Sequence, residues 1–154
     1  MAKKNEGLNH PTKEKRYITK SDIEFLMALF YESLAELSSK TIRNHLTNID
    51  FFLSYFLYNY RNHANPLNIK RMKKEIDNYL GCYYIRKYLS SSPSGIRSNA
   101  ASIKKFYKCL LEHDMIQEEE YEQLCEVINQ GLPEWVDIYE EYCTKGWSYS
   151  WICS

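Results

Sequence analysis

The stretch Ser92-Pro93-Ser94-Gly95-Ile96-Arg97-Ser98-Asn99-Ala100-Ala101-Ser102-Ile103-Lys104-Lys105-Phe106-Tyr107-Lys108-Cys109-Leu110-Leu111 reads as one amphipathic helix. Ser92 offers a capping oxygen, and Pro93 takes the first helical position, where a missing N–H is harmless. Ile96, Ala100, Ile103, Tyr107, Leu110 and Leu111 recur at helical spacing and form the face to be buried. The outer face carries Arg97, Ser98, Lys104, Lys105 and Lys108. The segment is a core helix with a basic exterior.

The same period recurs upstream. Ser21-Asp22-Ile23-Glu24 is a capping box, and Ile23, Leu26, Met27, Phe30, Tyr31, Leu34 and Leu37 follow as an unbroken apolar stripe. A second helix starts almost at once, with Ser39 as its cap and Ile42, Leu46, Ile49, Leu53, Phe56 and Tyr60 facing inward. Its outer face holds Lys40, Arg43, Asn44 and Thr47. The Asn65-Pro66 region breaks the chain. A third helical stretch runs from Ile69 to about Leu89, with Ile69, Met72, Ile76, Tyr79, Leu80 and Tyr83 on one side and Gly81 as a point where it can split.

Downstream, two shorter acidic helices are predicted. Glu118, Glu119 and Glu120 suit the first turn of one, where carboxylates complement the helix dipole. Tyr121, Leu124, Cys125 and Ile128 face inward and Gly131 ends it. Pro133 opens the other, with Trp135, Ile138, Tyr139 and Tyr142 as its stripe. No segment alternates for long enough to be a strand, so the expected fold is all-α.

Charge is sorted along this chain of 154 residues. Residues 1–110 carry 19 Lys and Arg against 9 Asp and Glu, whereas residues 111–154 carry Lys145 alone against 11 acids. The formal net charge of zero therefore joins a basic body to an acidic end. A basic body favours a polyanion partner. Lys and Arg supply phosphate contacts, while Asn, Ser and Thr reach phosphates or base edges. A further cluster, Lys70-Arg71-Met72-Lys73-Lys74, lies between the two basic helices.

Two motifs carry a resemblance. Ser39-Lys40-Thr41-Ile42 followed by Leu46, Ile49, Phe52 and Tyr55 resembles the first motif of the core-binding, SAM-like domain of tyrosine recombinases and phage integrases. Ser92-Pro93-Ser94-Gly95-Ile96, continuing to Ile103-Lys104-Lys105-Phe106-Tyr107-Lys108, resembles the second. The resemblance covers residues 20–116 and implies a compact four-helix SAM-like orthogonal bundle whose second and fourth helices meet double-stranded DNA. It implies DNA-binding roles for Lys40, Arg43, Asn44 and Thr47, and for Arg97, Ser98, Lys104, Lys105 and Lys108. Gly95 departs from the pattern, standing where the family usually has Thr.

The family's catalytic domain carries two Arg, a Lys, a His-x-x-Arg box and a nucleophilic Tyr. Here only the acidic residues 117–154 follow, and none of His10, His45, His63 and His113 begins a His-x-x-Arg box. Tyr139, Tyr142 and Tyr149 sit among carboxylates rather than the cations that a phosphoryl-transfer transition state needs. There is no Gly-rich phosphate loop, G-x-S-x-G or H-E-x-x-H. The carboxylate pairs Glu118/Glu122 and Asp137/Glu141 have no His beside them and read as solvated helix faces. No enzyme, cofactor or small-molecule substrate is expected.

Cys82, Cys109, Cys125, Cys143 and Cys153 form no C-x-x-C pair, which predicts reduced thiols and no metal site. No apolar run is long enough for a membrane span, and the Lys-rich N-terminus is unlike a secretory signal. The expected order is a flexible basic arm over 1–19, the SAM-like domain over 20–116, an acidic helical extension over 117–145 and an aromatic tail over 146–154. The expectation is a cytoplasmic, non-catalytic DNA-binding protein, for instance a recombination accessory factor. The alternative is a helical protein-interaction module that meets itself or a tyrosine recombinase. Three roles suit the acidic end: an ordinary solvated face packed through Leu124, Ile128, Trp135 and Ile138, a mask over the basic face, or a contact for a basic partner.

Overall fold

Thr19 rather than Ser21 starts the first helix. The Thr19 hydroxyl accepts from the Asp22 amide at 3.0 Å, and the Asp22 carboxylate accepts from the Thr19 amide at 2.9 Å. This reciprocal box outcompetes the one predicted over Ser21–Glu24 because Asp22 is fully buried and also receives the Lys15 ammonium at 3.0 Å. The structure, a computed structural model, describes residues 10–88 and 90–145. Their regular structure is helical, with no strand among them beyond one isolated bridge between Tyr17 and Ala64. The fold is all-α.

Helix α1 (Lys20–Ser33) buries Ile23, Leu26 and Phe30, while Tyr31 stays exposed. A short turn leads to α2 (Ser39–Asp50), capped by Ser38, whose hydroxyl accepts from the Thr41 amide. The rod then continues as a π-helix, π1 (Phe51–Tyr60), whose wider turns bury Phe52, Leu53, Phe56 and Leu57 together. Asn62 and His63, both at positive φ, end the rod.

The third rod is α3 (Ile69–Asn78), π2 (Tyr79–Tyr83) and α4 (Tyr84–Lys87) without a break. Gly81 does not split it; the rod passes through Gly81 in π register. Helix α5 (Pro93–Glu112) begins as expected, with the Ser92 hydroxyl accepting from the Gly95 amide at 2.9 Å and Pro93 in the first turn. Its inward residues Ile96, Ala100, Ile103, Tyr107 and Leu110 are buried. The Tyr107 hydroxyl donates to the Pro66 carbonyl at 2.7 Å, so this core ring keeps a partner for its polar end.

The acidic end is one helix, α6 (Glu118–Lys145), not two. Gly131, expected to end one helix, and Pro133, expected to open the next, both lie inside it. Pro133 is exposed, so water can satisfy the carbonyl its missing N–H leaves free. Gly131 is buried beneath Trp135, where a Cβ would lie 2.2 Å from the indole. Leu124, Ile128 and Trp135 join the common core, while Ile138 is exposed. Helix α6 packs on both α3 and α5 and is therefore part of the body.

The expected flexible arm is also corrected in part. Residues 1–9 lie outside the described residues, as do Leu89 and the tail 146–154. Residues 10–19 are fastened down: Asn65 donates to the Thr12 and Lys15 carbonyls at 2.9 and 2.7 Å, and Ile18 is buried. Lys13 reaches across to Glu120 at 2.6 Å.

Candidate nucleic-acid interface

Helices α2 and α5 lie side by side, joined by a polar seam. Asn48 donates to the hydroxyls of Ser98 and Ser102 at 3.1 and 2.9 Å, and His45 Nδ1 shares a hydrogen bond with Ser102 at 2.8 Å. Ser102 is fully buried, so its pairing with both α2 residues sets the register of the two helices. Burial, and then the charge of Lys105, hold the His45 pKa below its ordinary value. Lys105 thus lies close to the seam.

Both helices joined by the seam carry exposed basic side chains. Lys40, Arg43, Asn44 and Thr47 are exposed on α2, and Arg97, Ser98, Lys105 and Lys108 on α5. Ser98 spends part of its hydrogen-bonding capacity on Asn48. Arg97, Lys104 and Lys108 share one stripe of α5 by their spacing. Two of these lean away from α2: Lys104 donates to the Asn129 side chain of α6, and the Lys108 ammonium stands 5.6 Å over the Tyr121 ring. Of the α5 cations, Lys105 is the one tied to the seam, through its effect on His45.

The Lys70–Lys74 cluster belongs to a different flank. Lys73 donates to Gln123 of α6 at 3.2 Å, across the helix from the residues that meet Lys104 and Lys108. Arg71 and Arg61 both pair with the buried Glu75, at 3.0 and 2.9 Å. Helix α6 thus meets Lys73 through Gln123, and Lys104 and Lys108 through Asn129 and Tyr121. Its exposed side presents Glu119, Glu122 and Glu126, a negative stripe beside the basic edge of α5.

Of the tyrosines singled out from sequence, Tyr142 lies under the Arg86 guanidinium at 5.4 Å. A hydrogen bond to Cys143, and then burial, raise the Tyr139 phenol above its ordinary pKa. Tyr149 lies outside the described residues. Burial, followed by the neighbouring Tyr88 and Tyr139, pushes the Tyr84 phenol up to about 12. Among the described residues no group of three His, Cys, Asp or Glu side chains is placed to hold a metal ion, and no helix is long and apolar enough to cross a membrane.

Sequence reading found the outward cations but missed the seam. His45, Asn48 and Ser102 are ordinary polar residues on otherwise helical stripes. Only their i, i+3 and i, i+4 spacing on two different helices hinted that they could meet. No protein-family model matches the chain, and neither a curated protein nor a solved structure matches it.

Proposed function

We propose that this protein is a non-catalytic DNA-binding protein that grips duplex DNA with α2 and α5, as the resemblance to the integrase core-binding domain implies. The observation that supports the reading is the α2–α5 seam, where Asn48 bonds Ser98 and Ser102 and ties together the two helices that carry the basic residues. In this reading Lys40, Arg43, Arg97 and Lys105 contact phosphates, and the exposed Asn44 and Thr47 add hydrogen bonds to phosphate or base edges. Lys104 and Lys108 form the edge next to α6. The protein acts in the cytoplasm as a recombination accessory factor or a related DNA-organising protein, and its affinity is mainly electrostatic.

A second reading draws on the exposed acidic stripe of α6. In it the helical body docks a basic partner, a second copy or a recombinase, and has little DNA affinity. Fluorescence anisotropy with a labelled duplex at low salt separates the two. The DNA reading predicts binding that is lost in the combined Arg97→Glu and Lys105→Glu variant with the helical signal intact. Absence of binding by the wild-type protein at low salt replaces it with the partner reading.

A further inference from the structure

The basic stripe of α2 runs into an aromatic cleft. Thr47 and Asn48 form its upper wall, and Phe51, Tyr55, Tyr84 and Tyr88 its floor and sides, around a volume of about 290 Å³. The rings are stacked in order. Phe51 stacks on Tyr55 at 5.2 Å and meets Tyr88 edge-on at 5.3 Å, and Tyr88 stacks on Tyr84 at 5.1 Å. Tyr55 and Tyr88 are the members that reach solvent. Tyr55 is stacked on Phe51, and Tyr88 is held by both Phe51 and Tyr84, yet Tyr55 keeps 52% and Tyr88 36% of its surface exposed.

Large exposed rings held this firmly are a costly arrangement for a plain surface. The Tyr83 hydroxyl also reaches the Tyr55 carbonyl at 3.5 Å, and Tyr84 is almost fully buried. The platform is thus built before any ligand arrives. Polar groups at its rim can meet a base edge as acceptors: the Asn48 carboxamide oxygen, whose N–H groups are already donated to Ser98 and Ser102, and the Asp50 carboxylate. Asp50 also repels phosphate, which directs a base rather than a phosphate into the cleft.

We infer that the cleft between π1 and α4 binds an unpaired nucleobase of a single-stranded nucleic acid, stacked on Tyr55 and Tyr88. Charge complementarity identifies the occupant. Lys40, Asn44, Thr47 and Phe51 lie along one stripe of the α2–π1 rod at near-helical spacing, so a strand held by Lys40 reaches the cleft after about 16 Å. Base stacking on aromatic rings is tolerant of sequence and adds to phosphate attraction. This inference rests on the nucleic-acid reading above and narrows it to strands with unpaired bases.

The test compares labelled oligothymidylate with an abasic strand of equal length, which has the phosphates and no bases. Wild-type protein should bind oligothymidylate roughly five- to 100-fold more tightly. Tyr55→Leu, which keeps apolar packing on Phe51, should erase that preference while leaving the abasic strand's affinity unchanged. Tyr55→Phe should retain it. Equal binding of the two strands by wild type, with duplex binding intact, overturns the cleft and leaves the duplex reading standing. No binding to any strand or duplex at low salt overturns both.

Discussion

The Trp135 indole N–H donates to the Asp77 carboxylate at 2.8 Å and ties the middle of α6 to α3. The ring is fully buried and rests against two glycines, Gly81 on π2 and Gly131 one turn back on its own helix. A Cβ at Gly81 would lie 2.8 Å from the indole, so the close approach of π2 and α6 needs a residue without one. This contact explains why Gly131 and Pro133 do not end the helix: tertiary packing on both sides outweighs their local cost of about 1 and 3 kcal/mol.

Disturbing that contact should therefore damage the whole fold. Trp135→Ala is expected to cost about 3–5 kcal/mol and Gly131→Ala about 1–3 kcal/mol, by cavity formation and overpacking respectively. Trp135→Phe keeps much of the volume and loses the hydrogen bond, for about 1–2 kcal/mol. Urea denaturation followed by circular dichroism measures all three. A Trp135→Ala protein as stable as wild type would show that α6 is an appendage after all.

The cations on α5 should not be equivalent. Lys105 stands by the seam, whereas Lys104 is engaged with Asn129 and half-buried. Lys105→Glu should weaken duplex binding by at least about tenfold at low salt, and Lys104→Gln by only a few-fold. Anisotropy titrations of the two single variants give the comparison. Equal losses would mean that DNA reaches over the α6 edge as well.

The acidic stripe of α6 gives a prediction of opposite sign. Removing residues 117–154 would take away the buried Leu124, Ile128 and Trp135, so deletion would test folding rather than charge. Replacing Glu119, Glu122 and Glu126 with Gln leaves the core alone. Their repulsion of phosphate acts within about a Debye length of the basic edge. Duplex affinity should rise by about two- to tenfold at low salt, and the gain should fade as salt increases. An unchanged affinity would limit the stripe to solvation or to a protein partner.

His45 supplies a pH dependence. Its folded pKa is depressed, so the unfolded chain takes up a proton more readily as pH falls through the ordinary value of 6.5. Stability from this group is complete above that value and is lost as pH falls through the lower folded pKa. Carboxylates titrate nearby, so the measurement is a difference: melting temperatures of wild type and His45→Gln at pH of about 7.5 and 5.5. The wild-type protein should lose more on acidification than the variant. Equal losses would show that protonation at the seam is harmless.

Much of the fold could be read from local signals. Ser92-Pro93 marks the start of α5 to the residue, and the apolar stripe of α1 survives with Tyr31 as its one exposed member. What escaped was decided at a distance. Thr19 becomes a cap because Asp22 is buried beside Lys15, and residues 10–19 are held by Asn65 from far along the chain. The π registers also leave no punctuation, since an aromatic run such as Phe51–Tyr60 has the period of any buried helix. The candidate site divides the same way. Exposed Lys40, Arg43, Arg97 and Lys105 follow from their positions opposite the apolar stripes, whereas the pull of Lys104 and Lys108 toward α6 depends on how the last helix packs.

The salt dependence of duplex binding, compared between wild type and a Lys40→Gln, Arg97→Gln, Lys105→Gln triple variant, tests the central claim most directly. Each phosphate contact adds about −0.9 to the slope of log affinity against log salt. The wild-type slope should be steep, and the folded triple variant's shallower by about three contacts' worth. A wild-type protein that binds no duplex even at about 50 mM salt, or a triple variant with an unchanged slope, would contradict a DNA grip built on α2 and α5.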